Sequence, residues 1–333
     1  MRSLVITEHG PPEVLRVQER PDPEPGPGEV LVRVRAAGIN FADLLARAGL
    51  YPDAPKPPCV VGYEFAGEVE TAAGDLPAGT RVMGGCRFGA YSERVAAQPG
   101  NLIPLPDGWS FAEGAAVPVA YVTAYAGLVR YGSLREGERV LIQAAAGGVG
   151  IAATQVAKLV GAEVYGTASP AKHEAIASFG VDHPVDYDFV PAIRRIAGER
   201  EPLDVALDAI GGASFRKSFS LLRPGGRLVC FGASAVQEGE RRSPLRAARV
   251  LARMPRFNPL KLMRESKSVI GLNMLTLWDA KQSLDEYIGP LAEWVEQGAI
   301  RPVVAKEFPL EDGAAAHRYV HERRNVGKVV LVT

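Results

Sequence analysis

An α/β chain is what this sequence predicts: a doubly wound, parallel-sheet nucleotide-binding domain joined to a mostly β domain. Three observations carry the expectation. From about Pro118 strands and helices alternate, the rhythm of βαβ units. The turn "AAAGGVG" at 144–150 lies between an apolar strand and an apolar helix. The first hundred residues read instead as short strands broken by Gly and Pro, the habit of a compact β domain.

Each element follows from its pattern. "SLVITEHG" opens as a strand and leads into the proline-rich connector "RPDPEPGPG"; "EVLVRVRAAGIN", "EFAGEVETA", "TRVMGG" and "AYSERVAA" are the strands after it. In the alternating region "RVLIQAA", "AEVYGTAS", "DHPVDYD", "LDVALDAIG" and "GRLVCFGA" are strands. Near-continuous apolar strands of this kind suit a sheet covered on both faces. "VGIAATQVAKLVG" and "KHEAIASFG" are helices between them. The tail supplies the helices "DEYIGPLAEWVEQGAI" and "EDGAAAHRYVHER" and a last strand "GKVVLVT", and is expected to rejoin the first domain. The expected division is 1–120 with 270–333 for one domain and 121–269 for the other; 333 residues suffice for two, at roughly 100–200 residues each.

Thirty-eight basic and 38 acidic residues cancel, so no global field draws the chain to nucleic acid or to an acidic surface. No signal sequence and no run of about 18 apolar residues is evident, which predicts a cytoplasmic protein. Cys59, Cys86 and Cys230 are too few and scattered for a disulfide framework or a four-thiolate zinc site.

Gly147, Gly148, Val149 and Gly150 match the second half of G-x-G-x-x-G, with Ala145 at the first glycine. Glycines let the backbone approach a pyrophosphate, and the following helix offers free N–H groups and a favourable dipole. An acid about 20 residues on would grip the 2′-hydroxyl of NAD. Here that region reads Gly166-Thr167-Ala168-Ser169-Pro170-Ala171-Lys172. No acid, a hydroxyl at Ser169 and a cation at Lys172 suit the 2′-phosphate of NADPH, and Tyr187, at the end of the next strand, is placed to close over it. Lys172 also reads as an ordinary solvated helix residue.

"GINFADLLARAGLYP" (38–52), "GYEFAGEV" (62–69), "AAAGGVG" (144–150) and "NVGKVVLV" (325–332) together resemble the medium-chain dehydrogenase/reductase superfamily. Within it the chain resembles the zinc-independent quinone oxidoreductase branch, above all the vesicle amine transport protein homologues. The resemblance runs essentially end to end and is weakest at about 234–270. It implies a GroES-like β domain, a Rossmann domain, an active site in the cleft between them, and a homodimer joined through the nucleotide-binding sheets. It also implies Asn40 and Asp43 beside the nicotinamide, Tyr51 and Tyr63 lining the pocket, and Thr123 at the nicotinamide ribose or amide. Phe231, Gly232 and Ala233 would line the cofactor cleft, with Asn325 and Lys328 approaching from the tail. Ala233-Ser234 departs from the Asn or Ser pairs of the quinone reductases.

Zinc-dependent relatives place a Cys near Asn40 and a His where this chain has Tyr63 in "GYE". A catalytic zinc needs three converging protein ligands, and no such cluster is apparent. His317 and His321 share a helical face at a ligand-like spacing but lack a third ligand, and read as helix-surface residues. Without a metal, a conjugated acceptor is the easier target: hydride added to an enone or quinone leaves a delocalised anion that hydrogen-bond donors such as Asn40, Tyr51 and Tyr63 stabilise. Two roles are open to "NFAD", since Asn40 and Asp43 also have the spacing of a helix capping box. Tyr51 and Tyr63 also fit simple packing. Asp43 serves as a proton donor only if burial raises its pKa far above ~3.9.

Residues 241–264 hold Arg241, Arg242, Arg246, Arg249, Arg253, Arg256, Lys261 and Arg264 with no acid between them. A basic amphipathic helix there fits a solvated face over a cleft, or a membrane surface or partner. The sequence therefore predicts an NADPH-dependent reductase of quinones or enones without zinc; the alternative is an NADPH-binding, membrane- or partner-associated protein with weak turnover. Enoyl thioesters are a further substrate class.

Overall fold

The computed structural model describes residues 1–72, 76–237, 239–240, 243–281 and 284–333. They form two compact units. One holds Met1–Val122 and Met274–Thr333 with Gly239 and Glu240; the other holds Thr123–Gln237 and Ser243–Asn273.

The second unit is a six-stranded sheet in the order His183–Val185, Glu163–Thr167, Arg139–Ile142, Leu203–Asp208, Leu222–Cys230, Ser268–Gly271. Every neighbouring pair is parallel. Counting from Arg139–Ile142 this is the strand order 3-2-1-4-5-6 of a Rossmann fold. All six residues of Leu203–Asp208 are buried, as a central strand covered on both faces requires. The helix Gly148–Val160 ends at Gly161, whose φ of 86° is the left-handed conformation that a glycine C-cap adopts at little cost. Ser268–Gly271 is a sixth strand that "SVIG" alone did not announce; it is short and half-exposed.

In the first unit the strand Val30–Gly38 pairs with Glu64–Val69, with Arg94–Ala97 and with the C-terminal Lys328–Val332, all antiparallel. Its alternating burial is that of a strand with one face on a core. Val30, Val32, Val34, Phe65, Val82, Tyr91 and Leu331 belong to that core. Leu15–Glu19, Cys59–Val60, Leu102–Pro104 and Val304–Pro309 are further strands beyond those read from sequence; each is short or has a mixed pattern.

Two sequence expectations are corrected. The helical stretch Phe111–Tyr131, 21 residues, is by length and composition apolar enough to cross a membrane, and 78% of its 18-residue apolar window is buried in the protein; Pro118, Thr123 and Gly127 interrupt the apolar run in the sequence. His317 is not a surface residue. It is fully buried on Gly313–His321, which packs on the same core.

Candidate active site

In the nucleotide-binding unit the backbone makes the site. Gly147 caps the helix Gly148–Val160 in extended conformation, and the first intrahelical bond runs from Ile151 N–H to Gly147 O at 2.9 Å. The N–H groups of Gly148, Val149 and Gly150 are those a helix leaves open at its start. A Cβ on Gly150 would sit 2.3 Å from Ala144 O and 2.6 Å from Ala145 Cα, so only glycine allows this turn. Ala144 itself has φ 55°, a left-handed conformation costly to a residue with a Cβ.

Buried side chains hold that turn. Thr167 Oγ1 accepts from Ala144 N–H at 3.0 Å and donates to Gln143 Oε1 at 2.8 Å. Gln143 reaches Ser218 at 3.3 Å, and Ser218 and Ser214 both donate to Asp208 at 2.7 Å. Asp208 in turn accepts from Ile210 N–H at 2.8 Å. Thr167 is thus engaged inside the protein, while Gln143, Asp208, Ser214 and Ser218 carry no motif that sequence reading could have found. Burial raises the Asp208 pKa, against the opposing pull of those donors.

Ser169 and Tyr187 lie just past two paired strand ends, since Thr167 is in register with Val185. Ser169 is half-buried and Tyr187 is 52% exposed. Lys172 closes the short 3-10 turn Pro170–Lys172 that follows Ser169. Asp186, next to Tyr187, accepts the Tyr187 N–H at 2.7 Å. Phe231 donates its N–H to Asp208 O at 3.1 Å. A Cβ on Gly232 would meet Ala209 O at 2.9 Å, so Phe231, Gly232 and Ala233 follow a tightly apposed strand end. Thr123 is buried near the end of Pro118–Tyr125.

In the β-rich unit, side chains make the site. "NFAD" opens the helix Phe41–Arg47, and half of the capping box is present: Asp43 Oδ2 accepts the Asn40 N–H at 2.8 Å. The Asn40 side chain makes no cap bond. It donates from Nδ2 to Glu64 Oε1 at 2.8 Å and accepts at Oδ1 from Lys328 Nζ at 2.6 Å. Lys328 also pairs with Glu64, whose other oxygen accepts Val119 N–H at 2.7 Å. Glu64 is fully buried and Lys328 nearly so. Lys328 is therefore part of a buried ion pair with every member bonded, the arrangement that buried charges require. Asn325, three residues before it, donates to Gly327 O at 2.7 Å.

Asp43 is fully buried. Besides the Asn40 N–H it accepts the Gly62 N–H at 3.1 Å and the Tyr91 O–H at 3.0 Å. Burial pushes its carboxyl up to about 7, although these donors and the Lys328 charge pull it down. Desolvation wins because the whole carboxylate is out of water. Near neutrality such a group holds and gives a proton with little bias.

Tyr63 is buried, its ring meets Phe88 at a 49° tilt with centroids 5.3 Å apart, and its hydroxyl has no hydrogen-bond partner among the described residues. Burial and then the Asp43 charge hold that phenol far above its ordinary range. Tyr51, half-buried, is raised to about 12 by burial first and by Asp53 and Asp43 next. Asn40, Asp43 and Tyr63 thus share one neighbourhood with three residues that sequence reading missed: Glu64, Tyr91 and His317. Glu64 was visible in "GYE", beside the Tyr63 already singled out; Tyr91 carried no local signal, and His317 was visible only as one of a spaced pair whose burial the sequence did not reveal.

These features define a two-unit oxidoreductase of the dehydrogenase type. Residues 26–126 match the alcohol dehydrogenase GroES-like domain family and residues 179–331 the zinc-binding dehydrogenase family. A synaptic vesicle membrane protein VAT-1 homolog of Danio rerio is 37% identical over 340 residues, covering 100% of this chain and 70% of that protein. The quinone oxidoreductase of Thermus thermophilus, solved also with NADPH, is 36% identical with a TM-score of 0.81 over 100% of both chains. The CurK enoyl reductase is 28% identical with a TM-score of 0.85, over 99% of this chain and 98% of that one. The chain belongs to the medium-chain dehydrogenase/reductase superfamily, with the VAT-1 homologues among its relatives, and is a nicotinamide-dependent oxidoreductase of that family.

Proposed function

We propose that the protein is an NADPH-dependent reductase that adds hydride to quinones or α,β-unsaturated carbonyls without zinc. The observation that carries this reading is Tyr63, a buried phenol with no hydrogen-bond partner among the described residues, beside the Asp43 carboxyl at about 7. Such a pair is equipped to hold and protonate an oxyanion. The relatives named quinone oxidoreductase and enoyl reductase perform reactions of this class.

The dinucleotide would be held by the first-turn N–H groups of Gly148, Val149 and Gly150. Ser169 and Lys172 would take the 2′-phosphate, with Tyr187 over it. NADPH supplies the hydride. The protein's own part is to hold the acceptor oxygen: Tyr63 donates its O–H, and Asn40 adds its second Nδ2 hydrogen, the first being committed to Glu64. Asp43, whose oxygens accept from Asn40, Gly62 and Tyr91, lies close enough to Tyr63 for its charge to act on the phenol, without a bond to it. Asn40 and Tyr63 offer no thiolate or imidazole, and among the described residues no three His, Cys, Asp or Glu side chains group as metal ligands. The residues present do not fit a catalytic zinc, and no step is assigned to one.

Purified protein mixed with NADPH or NADH and a panel of quinones, enones and nitroalkenes tests the reading, with a chelator present. Chelator-insensitive turnover that favours NADPH supports it; binding of NADPH without consumption refutes it.

A second reading rests on a specific surface. Leu245, Leu251, Leu260 and Met263 are 83%, 60%, 73% and 74% exposed, on or beside the helices Pro244–Ala252 and Pro259–Glu265. Arg249, Arg253, Arg256, Lys261 and Arg264 are exposed among them; Arg241 and Arg242 lie outside the described residues. Exposed leucines interleaved with arginines suit an anionic membrane surface. Salt-sensitive cosedimentation with anionic vesicles, lost when Arg249 and Arg253 become Glu, supports it. A cytoplasmic location and a homodimer formed along the edge strand Ser268–Gly271 complete the proposal.

A further inference from the structure

Behind Asp43 the β-rich unit contains a row of buried polar groups that substrate chemistry does not touch. Tyr91 is fully buried, donates to Asp43 Oδ2 at 3.0 Å, and its oxygen lies 3.4 Å from His317 Nε2. The rings of Tyr91 and His317 meet edge-on at 5.9 Å. The Tyr91 hydrogen is given to Asp43, so the matching tautomer of His317 carries its hydrogen on Nε2 and directs it at the Tyr91 oxygen. Nδ1 is then a bare acceptor at the far end of the row. Every donor in the row points toward Asp43.

That far end is polar and buried. His317 Nδ1, His321 Nδ1 and both Nε and Nη2 of Arg47 are buried without hydrogen-bond partners among the described residues. Arg47 is fully buried and bonded only through Nη1, to Gly10 O at 2.6 Å. The three side chains act on one another: burial, then Arg47, then His321 keep His317 neutral, and Arg47 is itself lowered to about 10 by burial. Glu13, Glu240 and Arg318 are the other charges acting on Arg47. His321, one turn from His317 on the same helix, is partly exposed. Buried N–H donors and imidazole acceptors left unpaired are costly, so such a cluster calls for a strained, catalytic or solvated role to account for it.

We infer that Asp43 is recharged from this side, through a proton relay in which His317 Nε2 and the Tyr91 hydroxyl are the internal links and the Arg47–His321 cluster is the entrance. In one passage the Tyr91 O–H bond breaks as an Asp43 O–H forms, and the His317 Nε2–H bond breaks as a new Tyr91 O–H forms. An N–H forms at His317 Nδ1 as an O–H bond of a solvent water breaks, and the hydroxide is left to bulk solvent. One proton moves inward, no electrons move, and His317 exchanges one tautomer for the other. Tyr91 and His317 are positioning residues in this scheme, since neither reaches substrate. The titratable groups coupled to Asp43 are Lys328, Tyr91, Tyr63, Tyr51 and Cys86; those facing His317 are Tyr91, Arg47 and His321.

The kinetic arm of the test rests on the reductase reading. Tyr91→Phe and His317→Gln are compared with wild type for kcat against pH, for solvent isotope effect and for NADPH affinity. The relay predicts a fall in kcat of about 100-fold in each, the lower range for a lost proton-transfer group. The fall deepens toward alkaline pH, the solvent isotope effect rises, and NADPH Kd is unchanged. A folded variant with wild-type kcat, or an equal loss at every pH with an unchanged isotope effect, overturns the relay. The second arm needs no turnover, so failure of the reductase reading is distinguishable. After a downward pH jump the infrared band of protonated Asp43, identified by its loss in Asp43→Asn, appears at least tenfold more slowly in both variants; equal rates overturn the inference.

Discussion

On the proposed function, each of the two units would build its candidate site by a different means. In the Rossmann unit the proposed binding groups are backbone N–H groups, and the side chains around them, Thr167, Gln143, Ser218 and Asp208, are bonded to one another and to the turn. In the β-rich unit the backbone is a scaffold and the proposed site is made of side chains: half-buried Asn40 with buried Asp43, Glu64, Lys328, Tyr63, Tyr91 and His317. A backbone site is limited by sterics, so glycine is its signature. A side-chain site is limited by desolvation, and its signature is a shifted pKa or an unpaired buried atom.

Four substitutions should separate these two kinds of site. The largest effect is expected at the buried ion pair: Lys328→Ala leaves Glu64 buried and uncompensated, so unfolding free energy should fall by roughly 3–5 kcal/mol in urea titrations. Next is Asp43. Its folded pKa of about 7 lies above the ordinary 3.8, so the folded state binds the extra proton between those values. Its contribution to stability is full below the unfolded value and is lost as pH rises through the folded one. Denaturation midpoints should decline from about pH 4 to about pH 7, and Asp43→Asn should flatten that slope.

The backbone half should respond through binding and not through pH. Gly150→Ala places a methyl 2.3 Å from Ala144 O and should weaken NADPH binding by about tenfold or more, roughly 1.4 kcal/mol, read by fluorescence titration. Ser169→Asp, which puts a carboxylate where a 2′-phosphate would sit, should lower kcat/KM for NADPH several-fold and spare NADH, narrowing the ratio between the two cofactors.

What the sequence disclosed follows the same division. The parallel sheet and the glycine turn were legible because apolar strands and glycines state their requirements locally. Asn40, Asp43 and Tyr63 stood out through resemblance, but the partners that set their chemistry did not. Glu64 comes from the next strand, Tyr91 lies 48 residues from Asp43 and His317 lies 226 from Tyr91; only the folded topology joins them. His321 and His317 were visible as a spaced pair, yet their burial depends on the core beneath the helix, which no pattern in "EDGAAAHRYVHER" reveals. Short strands such as Cys59–Val60 and Ser268–Gly271 were missed because two to four residues carry too little periodicity.

At the heart of the proposed reaction is two-electron transfer from a nicotinamide to carbon, completed by a proton from the Asp43 side. NADPH deuterated at the transferring C4 position, mixed with an enone that the protein turns over, reports on that step without an intermediary. One deuterium at the β carbon of the saturated product and a solvent-derived hydrogen at the α carbon are expected. Consumption of the cofactor with no deuterium in the product would rule out hydride transfer to carbon.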